Sequence, residues 1–568
     1  MRTRRLKLVD LLARATSLSA EKVASLLEVP PHPELGDFAF PCFLLARGEK
    51  KDPAQIAARL TRELELKGTG FRALEARGGY LNFFLDELAL ADEVVSGIKR
   101  ERDNYGTSTQ GAGQAVVIDY SSPNIAKPFH IGHLRSTVIG AALVRIYRAL
   151  GYRPIGINHL GDWGTQFGMI LAAYKANPDE DMLLHDPIRY LLDLYTGYQS
   201  RAESDESARE DARQWFKRLE DGDTEAVGLW QRFRELSLDE FKRVYERFGI
   251  RFDYYTGESF YNDRMDDVIE RVRDAGLLEV GEDGAEMVRL DEGGMPPCLL
   301  RKSDGATLYA TRDLAGAIYR AENFHPAKIL YVVGTPQELH FRQVFQVLKL
   351  LGYDWADGLT HVKFGHVRGM STRRGEVVFL EDVLDEARAR AREKIEDNIA
   401  AGKLDAGLDN EELAEAIGIG ALIASDLKRV RERDVVFDWD QVLNFEGETG
   451  PYLQYTHARI CGILRKSNAG VKDNVDVSLL AEPEEAALVK HLARYPEVVE
   501  QAGADNEPSL ITGYLFEISK AFNIFYIRHR VIGSEEKLKE VRLALVDAVR
   551  QVLRNGLLLL GIRPLERM

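Results

Sequence analysis

His130 and His133 flank Ile131 and Gly132 within SSPNIAKPFHIGHLRSTVIG, Ser121 to Gly140. The chemistry this spacing favours is phosphate and nucleotide binding. Gly132 has no side chain, so a flat ring such as adenine can lie against its backbone. The flanking pattern says where the histidines sit. Val116, Val117 and Ile118 form a β-branched run, whereas Leu134, Val138, Ile139, Ala142, Ile146 and Leu150 recur at helical spacing and Gly151 follows the last of them. Strand, loop and helix are therefore expected in that order, with both histidines at the helix start, where unpaired N–H groups and the positive end of the dipole attract an anion. A histidine there is also an ordinary cap or surface residue, and four residues alone leave that alternative open.

The rest of the chain bounds what such a site can serve. At 568 residues it is too long for one core and suggests three or four domains. With 45% hydrophobic and 29% charged residues it has an ordinary globular composition. Cys42, Cys298 and Cys461 lie far apart with no CxxC pair, which predicts a reducing, cytoplasmic setting and no protein-bound zinc. No apolar run has the length of a membrane span, so no membrane partner is expected. The start, MRTRRLKLVDLLARA, lacks a secretory apolar core and reads as an ordinary first helix. A net charge of -15, from 75 basic and 90 acidic residues, argues against indiscriminate nucleic-acid binding but leaves room for local basic patches.

In its extended form SSPNIAKPFHIGHLRST resembles the HIGH region of class I aminoacyl-tRNA synthetases, and within them the arginyl-tRNA synthetases; NHLGDWGTQFG, Asn158 to Gly168, is similar to the same family. The resemblance implies a multidomain α/β protein with a Rossmann-like, HIGH-type nucleotide-binding catalytic domain. Residues 1–105 would be a small α+β N-terminal domain that contacts tRNA, and 106–380 the catalytic domain with an insertion at about 175–300. Residues 381–440 would connect, and 441–568 would form an all-α anticodon-binding bundle. Composition agrees in part: acidic runs such as Asp179 to Asp181 interrupt the α/β alternation and read as solvated helix faces, and KILYVVG and HVKFGHV read as further strands.

The implied activity is arginine–tRNA ligation: arginyl-adenylate forms from L-arginine and ATP with Mg2+, and the arginyl group passes to the terminal adenosine of tRNA(Arg). The chain is expected to act as a monomer. The family's KMSKS loop would correspond to Met370 to Arg374, with Gly369 in place of the first lysine and Arg373 of the second; Lys127 would supply the missing charge. By resemblance, Lys127, His130, His133, Ser371, Arg373 and Arg374 would be catalytic, and Gly132 and Met370 would join His130, His133 and Ser371 around ATP. Recognition of a planar guanidinium calls for fixed carboxylates, which pair with it bidentately. Asp119, Tyr309 and Asp313 would hold it, with Asn124 and Gln337 at the α-amino end. Tyr309 and Asp313, four residues apart, share one face if that segment is helical. Tyr452, Arg459, Tyr526 and Met568 match family positions at the anticodon loop, and Asn82 one that reads the D-loop, although Asn82 can equally pack a strand. The runner-up readings are another HxGH nucleotidyl transferase and an inactive tRNA-binding homologue.

Overall fold

The computed structural model describes residues 1–290, 294–303, 305–368, 378–400, 410–444, 447–468, 470–472 and 474–568. Near the N-terminus, β1 (Phe38–Pro41), β2 (Phe71–Arg77) and β3 (Tyr80–Leu85) form an antiparallel sheet in the order β1-β3-β2. Gly78 and Gly79, at φ 54° and 90°, supply the left-handed backbone that turns β2 into β3.

A four-stranded parallel sheet occupies the middle of the chain. Its strands are β4 (Ala115–Asp119) and β5 (Arg153–Ile157), joined after an insertion by β9 (Lys328–Tyr331) and β10 (Leu359–His361), in the order β10-β9-β4-β5. All five β4 residues are buried, because helices cover both faces. Val116 and Ile118 join the core of the helix Gly132–Ala149 through Val138, Ile139 and Leu143. Ala115 and Val117 face the other way, toward Leu314, Ile318 and Val344 of the helices Tyr309–Phe324 and Glu338–Leu350. The strand-loop-helix expected at the histidines is present, with the helix beginning at Gly132.

The insertion contributes the helices Pro187–Ser204, Glu206–Glu220 and Thr224–Arg247, then an antiparallel sheet of β6 (Leu278–Val280), β7 (Glu286–Val288) and β8 (Cys298–Arg301). Its acidic runs do more than face solvent. Asp186, Asp205 and Asp223 each accept a backbone N–H at the start of one of these helices.

One strand expectation differs. HVKFGHV is interrupted: β10 stops at His361, and β11 (Val367–Arg368) pairs instead with β12 (Val435–Val436). The intervening backbone is claimed from outside the sheet. The Phe364 carbonyl accepts from the Thr335 N–H at 2.9 Å, and the Gly365 N–H donates to the Arg431 carbonyl at 3.0 Å. Beyond it the helices Gly450–Lys466, Pro483–Ala504, Ser509–Arg528 and Glu536–Leu560 pack as a bundle. Among the described residues no helix is long and apolar enough to cross a membrane.

Candidate active site

The loop leaving β4 is held in an unusual backbone. Ser121, Ser122 and Ala126 have φ of 74°, 50° and 57°, a region that costs side-chain-bearing residues about 1–3 kcal/mol each. Hydrogen bonds from three elements hold the first turn in place. The Ser121 N–H donates to Ser136 Oγ at 2.8 Å, and Ser121 Oγ meets Thr137 Oγ1 and the Tyr245 hydroxyl, each at 2.8 Å. Ser136 Oγ in turn donates to the Val332 carbonyl just past β9 at 2.7 Å.

This loop delivers His130 and His133 to the helix start, where the residue before Gly132, Ile131, has no capping side chain. The Gly132 N–H donates to His130 Nδ1 at 3.0 Å, and the His130 N–H donates to His133 Nδ1 at 3.2 Å. Both Nδ1 atoms are thus acceptors, which places the ring protons on Nε2. Burial lowers the His130 pKa; burial, reinforced by the neighbouring His130, lowers that of His133 to about 3. The pair is neutral at physiological pH and offers two Nε2–H donors, with ring centroids 4.0 Å apart. A Cβ on Gly132 would lie 2.7 Å from His130 Cε1, so glycine is needed for the ring itself to fold over the backbone.

The expected acid sites divide into two kinds. Asp119 is 5% exposed and already engaged: Arg320 of the same chain pairs with Oδ2 at 2.7 Å and Ser122 Oγ donates to Oδ1 at 3.1 Å. Asp119 is thus held within the chain, at the position where the sequence suggests a direct grip on a substrate guanidinium. Asp313 remains at the surface of the cleft, one oxygen meeting His340 Nε2 at 2.5 Å. Its burial works to raise its pKa, but the hydrogen bond and charge of His340, with His159 and Arg320, carry it below the usual value.

Tyr309 opens the helix that carries Asp313 and is 67% exposed. Asn124 bridges to Gly161 in the loop after β5, and Gln337 follows β9; both are exposed. Lys127 lies half-buried with Nζ 5.5 Å from the Tyr195 ring centroid. These positions gather around the carboxyl ends of β4, β5 and β9, where parallel sheets bind ligands.

Sequence reading missed Glu258, which pairs with Arg312 at 3.4 Å. Burial pushes its pKa up to about 7; Arg312 opposes, Asp162 and Asp313 add to the rise, and Lys127 lowers it. No motif flagged it, because only the fold brings it to this wall. Asp162 is fully buried and accepts from Arg234 Nε, the Ser259 N–H and Ser259 Oγ at 2.8, 2.8 and 2.9 Å, tying the GDWG loop to the insertion. Met370, Ser371, Arg373 and Arg374 lie outside the described residues. Their root is visible: the Ile131 N–H donates to the Val378 carbonyl at 3.2 Å, and the Leu380 N–H to the Phe129 carbonyl at 2.7 Å.

A second cluster forms on the C-terminal bundle. The Arg459 guanidinium lies 4.4 Å from the Tyr526 ring centroid, and Asn523 links Arg459, at 3.4 Å, to the Tyr452 hydroxyl, at 2.9 Å. Met568 is half-buried against the same core, its tail tied to the helix Gly450–Lys466 by Gln454 and His457. Asn82 differs: it is 3% exposed on the central strand β3, between Ala39 and Glu75, and packs the sheet. Among the described residues, donors close enough to share a metal ion gather at Glu482, Glu484 and His529 of this bundle, where Glu484 is already paired with Arg528 and His529.

Comparison with known proteins agrees along the whole chain. Residues 95–439 match the family of tRNA synthetases class I (R), catalytic domain; 453–568 match the DALR anticodon binding domain; and 5–85 match the arginyl tRNA synthetase N terminal domain. The chain is 48% identical over 558 residues to an arginine–tRNA ligase of Clostridium perfringens, covering 97% of each. Another, from Clostridium beijerinckii, is 46% identical over 568 residues, covering 99% of each. The solved arginyl-tRNA synthetase of Plasmodium falciparum superposes with a TM-score of 0.84 at 25% identity, over 100% of this chain and 99% of that one. That of Thermus thermophilus shares the fold at a TM-score of 0.83 and 24% identity, over 100% of both. A catalytic-domain family spanning the histidine site and relatives nearly half identical from end to end place this chain in the arginyl-tRNA synthetase family of class I.

Proposed function

We infer that the chain activates L-arginine with ATP and transfers it to the 3′ terminal adenosine of tRNA(Arg). The observation that carries this reading is the pair of neutral imidazole donors at the start of the helix after β4, together with the carboxyl groups of Asp313 and Glu258, which interact electrostatically with each other. The arginine carboxylate attacks the α-phosphorus of ATP, pyrophosphate leaves, and the tRNA hydroxyl then takes the arginyl group as AMP departs. No protein nucleophile is required, so catalysis rests on positioning and on donors aimed at developing charge.

In this reading the Nε2–H groups of His130 and His133 serve the phosphate oxygens, Gly132 gives the adenine its approach, and Lys127 with Met370, Ser371, Arg373 and Arg374 completes the grip. Asp313, Glu258 and Tyr309 take the guanidinium; Asn124 and Gln337 orient the α-amino end. Asp119 acts through Arg320. Lysine, without a planar fork, leaves buried acceptors unpaired in such a pocket and is rejected. Magnesium, bound to the triphosphate, supplies charge neutralisation. We further read the protein as a cytoplasmic monomer without protein-bound zinc, divided at about 105, 380 and 440. Tyr452, Arg459, Tyr526 and Met568 form its anticodon-loop surface.

Charging of total tRNA with labelled amino acid tests the reading. Arginine is incorporated and lysine is not; incorporation of lysine, or of neither, would overturn it.

A further inference from the structure

Asp313 and His340 meet across two helices at the edge of the cleft. His340 Nε2 lies 2.5 Å from Asp313 Oδ2, and the two side chains keep 23% and 24% of their surface exposed. The contact therefore belongs to the wall of a site and not to the core. An ionised carboxylate can only accept, so the imidazole is the donor. Among the described residues no other hydrogen bond reaches the Asp313 side chain, which leaves Oδ1 free.

The donor is itself held. The Phe341 ring stands edge-on to His340 with centroids 5.3 Å apart, and Gln343, one turn on, donates to the Pro296 and Pro297 carbonyls at 2.9 and 3.2 Å. At the start of the same helix Glu338 pairs with Lys363 at 3.2 Å. A carboxylate at the end of a short side chain has a broad, weakly restrained final torsion. Recognition of a planar guanidinium requires that plane to be fixed.

We propose that His340 is a positioning residue for the amino-acid substrate: by holding Asp313 Oδ2 it turns Oδ1 toward the guanidinium. This rests on reading Asp313 as a guanidinium acceptor. His340 touches neither ATP nor the reacting carboxylate, so its loss should weaken arginine binding and leave the chemistry nearly intact.

The test is ATP–pyrophosphate exchange by the full chain in the presence of total tRNA, with KM for arginine and for ATP measured separately. His340→Leu should raise the arginine KM about tenfold, with kcat and the ATP KM within about twofold of the parent. His340→Gln places an amide N–H near the position of Nε2 and should recover most of the loss; His340→Asn is one methylene too short and should behave like the leucine variant. Asp313→Asn is run alongside. If it leaves the arginine KM unchanged, the pocket reading itself fails. If Asp313→Asn raises the arginine KM while His340→Leu and His340→Asn do not, only the positioning role fails. Equal rises in both KM values, or a glutamine variant no better than asparagine, would make His340 merely structural and overturn the proposal.

Discussion

The tautomer of the histidine pair follows from backbone hydrogen bonds that occupy both Nδ1 atoms. It carries a consequence for stability. The pKa of His133 falls from 6.5 unfolded to about 3 folded, through burial first and His130 second. Below 6.5 the unfolded chain binds a proton that the folded chain refuses, so acidification favours unfolding by about 1.4 kcal/mol per pH unit until the folded pKa is reached. Glu258 works in the opposite sense, its raised carboxyl stabilising the fold as pH falls below about 7. Comparing variants at one site cancels that contribution. His133→Asn keeps an acceptor near Nδ1 and removes the titration; denaturant unfolding should therefore show the parent losing about 1 kcal/mol more than the variant between pH 6.5 and 5.5. Parallel losses would show that His133 is protonated in the folded protein.

At the scale of elements, the Gly132–Ala149 helix is fastened to the backbone that leads into β11 and β12. Arg135, 1% exposed, pairs with Asp426 at 2.7 Å and donates to the carbonyls of Gly365 and Arg433 at 2.7 and 2.8 Å. One guanidinium thus joins the histidine helix to the residues just before β11 and β12. Removing it strands a carboxylate whose pKa burial already raises. Arg135→Met should destabilise the fold by about 3–5 kcal/mol, and adding Asp426→Leu should recover most of that. A double variant no more stable than the single one would place the loss in the carbonyl contacts. Elements of this kind mark what the sequence could disclose. The β4 strand, the glycine turn and the histidine helix were legible because each is a local pattern of apolar spacing and breakers. Arg135 with Asp426, Arg320 with Asp119, and Glu258 in the cleft were not, since each pairs residues far apart in the chain. Asp119 shows the same limit: an acid at the end of a strand looks free until the fold supplies its arginine. Asn82, open to two readings in the sequence, lies buried on the middle strand, a placement only the fold discloses.

Across the whole molecule the same helix spans from the histidine pair to the bundle. At its far end the single Tyr147 O–H is shared between Asn506 Oδ1, at 2.8 Å, and the Gly503 carbonyl, at 3.1 Å. The Tyr452, Arg459, Asn523 and Tyr526 cluster lies on that bundle, removed from the chemistry. Tyr526→Ala should raise the tRNA KM about tenfold in charging assays, in line with about 1–3 kcal/mol per stacked base, and leave the arginine KM unchanged. A change in arginine KM alone would remove the cluster from tRNA binding. The central claim, that the cleft at β4, β5 and β9 activates arginine, is tested most directly by arginine-dependent ATP–pyrophosphate exchange, with and without total tRNA, and with lysine and glutamine as controls. Exchange is expected with arginine and not with lysine or glutamine. Exchange with lysine, or none with arginine even when tRNA is present, would contradict it.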